Sequence, residues 1–357
     1  MKTGILFLNF GGPTGDAELV PFLRNLLSDV LPGPGFMKRF LANRIAPARA
    51  KKVRENYTRI GWSPLVGETQ AQVDAVRAAW GPDAPPMAAG MMFTAPTIRD
   101  ALRSLLDQGA DRILAVGLFP HWSFATSGGA YDMVHHALQE LGHAELPVHY
   151  ARAFFEHPEY IESLANTIRH TAETMSGEGP IDLLFSAHGV PLSYLRRGDP
   201  YPDHVRESCR LAVAKLGWSD PWHLAWQSRL GPVKWLGPST PDLIHQLGLR
   251  GAKRLLVVPV SFVGEHIETL DEIDREYVEH AHQLGVTHVG RAPALGLEPA
   301  FIRCLVDVSK TTMERFGATS CSRCLIPQDA NHRRQGTCPQ CKFVFPPHLS
   351  QGNGGIA

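Results

Sequence analysis

Eight short apolar runs, separated by longer segments with helical periodicity, constrain the fold of this chain most strongly. The runs are nearly continuous in Val, Ile, Leu and Phe, which predicts strands buried on both faces, as in a parallel sheet. The intervening segments, such as "TIRDALRSLLDQ", repeat apolar residues at the spacing of a helix. The pattern predicts an α/β fold built from a pair of doubly wound units, with strands at 5–10, 87–93, 112–119, 148–154, 181–186, 223–226, 254–258 and 287–291.

An internal repeat supports the pairing of two units. "GADRILAVGLFP" at 109–120 resembles "GAKRLLVVPVSF" at 251–262, and "LNFGGP" at 8–13 and "SAHGVP" at 186–191 follow comparable strands. The alternative is that Gly-Ala-x-Arg-Leu-Leu is only a common entry to a strand. Because ligands collect beyond the carboxyl ends of parallel strands, two facing units predict a cleft between them.

Composition excludes several classes of function. Lys+Arg and Asp+Glu both number 35, so there is no global attraction to nucleic acid or to anionic membranes. The N-terminal apolar run is too short for a signal peptide, and no segment approaches the roughly 18 apolar residues of a membrane span. We therefore expect a cytoplasmic protein whose six cysteines stay reduced or bind metal.

A row of carboxylates is the most unusual local pattern. On a helix, Glu265, Glu268, Glu272, Glu276 and Glu279 fall within a sector of roughly 80°. Such a row is often only a solvated face. Here it leads back to a strand exit with a nearby histidine and carries only one arginine close by, which favours a path for cations or protons. A π-bulge would align these side chains more closely.

Further candidates follow other strands. His188 stands between a strand and Gly189, where side chains point into clefts, although a lone histidine is often structural. The segments "LFPHWSFATSGG" and "AWQSRLGPVKWLGPST" place aromatic residues beside small polar ones. That combination suits a flat hydrophobic ligand that carries carboxylates, with core packing as the alternative.

Together these motifs resemble ferrochelatase, which inserts ferrous iron into a porphyrin. The matching segments are "LFLNFGGP", "YTRIGWSPL", "LFPHWSFATSGG", "FSAHGVP", "RGDPYP", "AWQSRLGPVKWLGPST" and "VPVSFVGEHIETLDEIDREY", in family order over about residues 2 to 315. The resemblance implies two Rossmann-like lobes around a porphyrin cleft. The first lobe would span 1–152 and be joined by a returning helix at about 298–317. The second would span 153–297.

The resemblance also implies the roles of individual residues. His188 and Glu268 would be catalytic and would contact the substrate iron, with His266 beside them. Glu265, Glu272 and Glu276 would line the metal path along a π-helical segment. The positions expected near the porphyrin are Phe10, Arg59, Met92, Phe93, His121, Trp122, Ser123, Trp235 and Phe262.

The chain departs from the family pattern at one place. Met92 and Phe93 stand where many relatives have Arg-Tyr, so the polar contacts of that pair cannot form, although an apolar wall could still hold the ring. Phe10 favours protoporphyrin over coproporphyrin, because relatives of the coproporphyrin type usually carry tyrosine there.

The expected reactants are protoporphyrin IX and Fe²⁺, with no nucleic-acid partner. Two alternatives stay open: a chelatase for another tetrapyrrole or metal, such as coproporphyrin III or Co²⁺, and a non-enzymatic sensor of haem or iron. Peripheral membrane association and oligomeric state are also open.

The C-terminal region carries a second metal signal. Cys321-x-x-Cys324 and Cys338-x-x-Cys341 offer two pairs of thiolates with thirteen residues between them, which predicts a tetrahedral metal site in a ribbon over 318–345. The spacing differs from the usual cluster-binding pattern of ferrochelatases, so Zn²⁺ and a [2Fe–2S] cluster both remain candidates. A flexible tail is expected over 346–357.

Overall fold

The computed structural model describes residues 1–31, 33–228 and 233–314. The strands are β1 (Thr3–Asn9), β2 (Met87–Met91), β3 (Arg112–Gly117), β4 (Val148–Tyr150), β5 (Ile181–His188), β6 (Trp222–Gln227), β7 (Arg254–Pro259) and β8 (His288–Arg291). The α-helices are α1 (Asp16–Val30), α2 (Gly35–Arg59), α3 (Leu65–Trp80), α4 (Ile98–Asp107), α5 (Gly129–Glu140), α6 (Pro158–Thr174), α7 (Leu192–Arg196), α8 (Tyr201–Leu216), α9 (Thr240–Leu249), α10 (Val278–Gln283) and α11 (Pro299–Glu314). Two π-helices are π1 (Phe124–Gly128) and π2 (Glu268–Tyr277).

The strands form two four-stranded sheets in which every pairing is parallel. The first sheet has the order β2-β1-β3-β4 and the second has the order β6-β5-β7-β8. All eight predicted strands are present, and the predicted α/β class is confirmed. The strand ends differ: β4 stops at Tyr150, four residues before the predicted end, while β5 continues two residues further, to His188.

The two sheets have the same order once four is added to each strand number. The two halves of the sequence repeat therefore form equivalent strands, β3 and β7, each third in its sheet. The strands are apolar because helices cover both faces of each sheet. All seven residues of β1 are buried, for example, and one core cluster contains Phe7 of the first sheet with Leu183 and Phe185 of the second.

Capping side chains determine where several helices begin. Thr97 and Asp100 form a reciprocal capping box at the beginning of α4. Ser239 caps α9 through its hydroxyl, and His157 caps α6 ahead of a proline at the first helical position. These caps satisfy amide groups that would otherwise lack partners, so they determine where the helices begin.

We call β1–β4 with the helices between them the first lobe, and β5–β8 with the helices between them the second lobe. The helix α11 packs against α3 of the first lobe and against α6, which links the two lobes. Gln72 of α3 donates to the carbonyl oxygen of Val263 (2.7 Å) in the second lobe and to that of Gly296 (3.0 Å), which follows β8. Among the residues described, no helix is both long enough and apolar enough to cross a membrane.

Candidate active site

The candidate site lies where β5, β6 and β7 end. His188 is the last residue of β5, Ser228 follows β6, and a loop after β7 carries Phe262 and His266 to the start of π2 at Glu268. Since the three strands are parallel neighbours, their carboxyl ends share one edge of the sheet. Three separate loops thus bring their side chains together at this edge.

His188 is held in one orientation with one nitrogen left available. Its backbone amide donates to the Ser261 hydroxyl at 3.0 Å, and Nδ1 lies 2.6 Å from the Gly189 carbonyl oxygen. Because a carbonyl oxygen only accepts, Nδ1 must carry the proton in this contact. In the neutral ring, Nε2 then keeps its lone pair, and the side chain is 39 % exposed.

Glu268 faces two histidines. Its Oε1 lies 3.7 Å from His188 Nε2, and its Oε2 lies 3.9 Å from His266 Nε2. Burial alone would raise the pKa of this carboxyl group, but His188, His266 and the Ser228 hydroxyl outweigh burial and lower the pKa well below its usual range. Glu268 is therefore a carboxylate at neutral pH.

Phe262 lies beside both histidines of the site. Its ring centroid lies 4.3 Å from that of His266 and 6.5 Å from that of His188. The Nδ1 atom of His266 is buried and has no hydrogen-bond partner among the residues described. The predicted neighbours His188, His266, Glu268 and Phe262 are thus brought together.

Ser228 and Glu272 form a second layer behind Glu268. The Ser228 hydroxyl lies 2.7 Å from Glu272 Oε2 and 3.1 Å from Glu268 Oε2, so it bridges the two carboxyl groups. Tyr277 donates its phenolic hydroxyl to Glu272. Burial first, and then the charge of Glu268, raise the pKa of Glu272.

The two bridged carboxyl groups therefore have opposite pKa shifts. Glu268 stays charged while Glu272 holds its proton to higher pH, which is how proteins separate the roles of neighbouring carboxyl groups. A serine hydroxyl can donate only one proton but can accept others. When Glu272 is protonated, it can donate to the Ser228 hydroxyl, which donates in turn to Glu268. The three groups then form a continuous chain of hydrogen bonds.

The remaining acids of the predicted row have arginine partners. Glu265 precedes π2 and pairs with Arg291 at 2.8 Å, while Glu276 is exposed and pairs with Arg275 at 2.8 Å. Arg275 also binds Asp271. The sequence already places Arg275 beside this row, but it does not reveal Arg291, which reaches Glu265 from β8. Glu268 and Glu272 are the two members directed to the site.

The predicted π-helical geometry is confirmed. Residues 268–277 form π2, whose wider turn directs Glu268 and Glu272 toward the same hydroxyl. Ile273 and Tyr277 are buried beneath the helix. These two side chains anchor the helix, so the carboxyl groups have a fixed direction.

Several residues expected near a porphyrin lie on the first lobe. The Phe10 and Phe93 rings are in edge contact with centroids 4.7 Å apart, and Met92 packs in the same apolar cluster. Ile267, next to Glu268, also packs against this cluster. The apolar wall of the first lobe therefore extends to the first turn of π2.

Arg59 is engaged in salt bridges, whereas Trp235 packs beside the turn after His188. Arg59 donates to Asp271 of π2 at 2.8 Å and to Glu55 at 3.0 Å, so it links the lobes instead of standing free for a ligand carboxylate. Trp235 is partly buried beside Gly189, where a side-chain Cβ would approach the tryptophan ring to 3.4 Å. Trp235 thus lines the turn that follows His188.

Three predicted porphyrin contacts lie inside the protein. His121 is bonded to Ser208 at 3.0 Å, the amide of Trp122 donates to His204 at 3.2 Å, and Ser123 donates to Asp199 at 2.9 Å. All three side chains are buried. They join the first lobe to α8 and to Asp199, which precedes that helix, through contacts that strand position alone does not reveal. A contact with a porphyrin stays a prediction for these three residues.

Sequence reasoning did not assign a role to Ser228, Ser261 or Tyr277. Ser228 stands in the segment "AWQSRLGP", which was singled out, but its bridging hydroxyl depends on a left-handed backbone with φ of 63°. Such a backbone is uncommon for residues other than glycine and leaves no sequence signal in a serine. The tail cysteines, Cys321, Cys324, Cys338 and Cys341, lie outside the described residues.

Known proteins match most of this chain. The family model described as Ferrochelatase matches residues 2–313. The chain is 42 % identical over 316 residues to a ferrochelatase of Geotalea uraniireducens, covering 87 % of this chain and 98 % of that protein. It is 41 % identical over 311 residues to a ferrochelatase of Geobacter metallireducens, with 86 % and 97 % covered. The solved structure of SirB from Bacillus subtilis with Fe³⁺ has the same fold, with a TM-score of 0.54 at 13 % identity and coverage of 89 % and 96 %.

Proposed function

Because the chain belongs to the ferrochelatase family, whose enzymes insert iron into a porphyrin, we propose that His188 and Glu268 carry out this insertion with Fe²⁺ and protoporphyrin IX. One observation carries the assignment of residues. The Nε2 atom of His188 and the Oε1 atom of Glu268 lie 3.7 Å apart at the carboxyl edge of the second sheet. A base and an anionic ligand side by side are what metallation of a porphyrin requires.

The reaction must remove two pyrrole protons while a dication loses its water ligands. His188 Nε2 can accept the first proton, since Nδ1 is committed to the Gly189 carbonyl. The imidazolium that results lies next to the Glu268 carboxylate, which stabilises its charge. Glu268 also offers the incoming iron a hard oxygen ligand.

The second proton has a route away from the ring. Glu268 can receive it. After Glu272 has released its own proton to solvent, Ser228 can pass a proton from Glu268 on to Glu272 through the two hydrogen bonds described above. The raised pKa of Glu272 makes that carboxyl group the better proton carrier of the pair. The release of two protons balances the two positive charges of the incoming Fe²⁺, so the net charge of the site is unchanged.

The test is anaerobic incubation of the protein with protoporphyrin IX and Fe²⁺, following haem by its absorption. We expect His188→Ala to lower the rate by at least about a hundredfold, while porphyrin binding persists. The control is His170→Ala, because His170 is an exposed histidine on α6. Near-normal turnover by His188→Ala would remove His188 from the mechanism.

The same assay separates the alternatives. Parallel reactions with Co²⁺ and Zn²⁺, and with coproporphyrin III, rank the metals and tetrapyrroles. If the protein bound haem stoichiometrically but turned over none of these pairs, a sensor would be the better description. The Phe10–Phe93 contact supports protoporphyrin, because neither ring offers a polar group to additional carboxylates.

We also propose that the four C-terminal cysteines bind one Zn²⁺ ion or one [2Fe–2S] cluster. The support is their paired spacing in the sequence. Metal analysis and the visible spectrum of the purified protein distinguish the two, since a cluster absorbs visible light and Zn²⁺ does not. Absence of both metals would refute the proposal.

A peripheral contact with lipid is a further part of the proposed function. At the start of α2, Phe36 is 76 % exposed and Phe40 is 60 % exposed, next to Lys38 and Arg44. Apolar side chains flanked by cations complement an anionic lipid surface. Binding to vesicles that contain phosphatidylserine should fall in a Phe36→Ser, Phe40→Ser variant. Equal sedimentation of the variant and the unaltered protein would exclude this surface.

A further inference from the structure

Glu68 of α3 reaches from the first lobe to the loop that precedes π2. Its Oε2 atom accepts a hydrogen bond from the backbone amide of Glu265 at 2.7 Å. A Cβ atom placed on Gly264, the preceding residue, would lie only 3.0 Å from the same oxygen. The carboxylate therefore lies directly against the backbone of the loop, and no step proposed above uses it.

Glu265, whose backbone Glu68 holds, is also held by its own side chain. Its Oε1 atom accepts hydrogen bonds from the Arg291 guanidinium at 2.8 Å and from the backbone amide of Ala294 at 2.9 Å. Arg291 belongs to β8, and Ala294 follows that strand. The side chain of Glu265 is thus fixed on the side of the second lobe and its backbone is fixed to the first, so the position of the loop depends on both lobes.

The same loop leads to two groups of the active site. His266 follows Glu265 directly, and its Nε2 atom lies 3.9 Å from Glu268 Oε2. His188 stands on β5 instead, so its separation of 3.7 Å from Glu268 changes if the loop moves. Because a displacement of about 1 Å can slow a reaction by about a hundredfold, a residue that fixes the loop can govern the rate without touching the reactants.

Three residues of the second lobe act on the charge of Glu68. Burial, and then the charge of Glu265, raise the pKa of the Glu68 carboxyl group, whereas the Glu265 amide, His266 and Arg291 lower it. A hydrogen bond to a charged acceptor is stronger than one to a neutral acceptor, so an ionised Glu68 holds the loop more firmly than an uncharged side chain would. Substitution can therefore separate two properties of Glu68, its acceptor oxygen and its charge.

We infer that Glu68 is a positioning residue for iron insertion: from the first lobe, its carboxylate holds the loop of the second lobe so that His266 and Glu268 stay beside His188. Within the described part of the chain, no hydrogen bond or ion pair joins Glu68 directly to His188 or Glu268, and its effect passes through the backbone of Glu265. This inference rests on the proposed function, because the groups that Glu68 positions are those of the proposed reaction.

The test compares anaerobic haem formation by the unaltered protein, Glu68→Ala and Glu68→Gln, with protoporphyrin IX as the varied substrate. In Glu68→Ala the Glu265 amide loses its acceptor, so we expect kcat to fall about tenfold to a hundredfold, while KM for protoporphyrin IX changes by less than about twofold. Glu68→Gln should lie between the two, because its amide oxygen still accepts the hydrogen bond but carries no charge. Asp74→Ala, which removes an exposed acid of the same helix, should leave both constants unchanged.

Three results would overturn the inference. The first is an unchanged kcat in Glu68→Ala. The second is an equal loss in Glu68→Ala and Glu68→Gln, which would assign the effect to charge alone. The third is a rise in KM as large as the fall in kcat, which would place Glu68 in porphyrin binding.

Rates are divided by the concentration of folded protein, obtained by titration with protoporphyrin IX, so that a folding defect does not lower kcat. If Glu68→Ala yields no folded protein, Glu68→Gln decides: a fall in kcat of about threefold or more supports the inference, and an unchanged kcat overturns it. If the unaltered protein formed no haem, the proposed function would fail together with the inference. Equal haem formation by the unaltered protein and Glu68→Ala would refute the inference alone.

Discussion

Ser228 is the residue whose replacement tests the site most directly. Its hydroxyl is bonded to both Glu268 and Glu272, and a hydrogen bond to a charged group contributes about 1.5–3 kcal/mol. Losing the donor to Glu268 should raise the pKa of that carboxyl group by about one to two units, since one unit equals about 1.4 kcal/mol. In Ser228→Ala the route between the carboxyl groups is also broken.

We therefore expect two changes in the haem-forming activity of Ser228→Ala. The rate near pH 7 should fall about tenfold to a hundredfold if the relay carries the second proton. The acidic limb of the pH–rate profile should also move to higher pH. The sign follows from the unaltered site: its lowered Glu268 pKa keeps the carboxylate charged until low pH, and a higher pKa brings protonation, with loss of activity, closer to neutral.

The left-handed backbone of Ser228 provides a control for stability. Glycine adopts a φ of 63° without strain, so Ser228→Gly removes the hydroxyl while suiting the backbone. Both variants should lose activity to a similar extent, although Ser228→Gly should unfold at a temperature close to that of the unaltered protein. Ser219→Ala serves as the exposed control. Full activity in Ser228→Gly would refute the relay.

Three further outcomes follow from the geometry. Glu268→Gln should lower kcat for haem formation by about a hundredfold or more. Glu272→Gln should cost less, because it interrupts only the onward proton route and leaves the carboxylate beside His188 in place; equal and negligible losses would return both residues to a structural role. Asp199→Ala should lower the free energy of unfolding in a urea titration by about 2–4 kcal/mol, because buried donors lose their acceptor, and an unchanged midpoint would contradict the interlobe role of this carboxylate. Gly189→Ala should lower both soluble yield and activity, since a Cβ there would lie 2.9 Å from the Gln227 carbonyl oxygen, and normal activity would show that the turn can move.

The sequence predicts the sheets well because strand burial leaves a direct signal. Apolar runs identify all eight strands, and the repeat pairs β3 with β7, since both features depend on residues close together in the chain. The placement of His188 at a strand end also follows from local pattern. Its approach to Glu268, 80 residues further along, has no local signal. It was expected from the position of both residues after strands of the second unit and from the family resemblance.

The hydrogen-bond and salt-bridge partners of the polar side chains were the least predictable from the sequence. Helix periodicity places Glu265 in one row with Glu268, but it cannot show that Arg291 on β8 neutralises it. His121 follows a strand, as a ligand residue would, yet its side chain is buried against Ser208 of the second lobe. Such outcomes depend on contacts between distant segments, which the composition of either segment does not determine.

The loop before π2 belongs by chain connection to the second lobe but is held by side chains of α3. The Glu68 carboxylate accepts a hydrogen bond from the backbone amide of Glu265 at 2.7 Å, and the Gln72 side chain donates to the carbonyl oxygen of Val263. A fragment that contained only the second lobe could pair its four strands and still leave this loop without its anchors. The catalytic unit is therefore the two lobes together, and dividing the gene between them should yield halves that regain activity only after they reassociate.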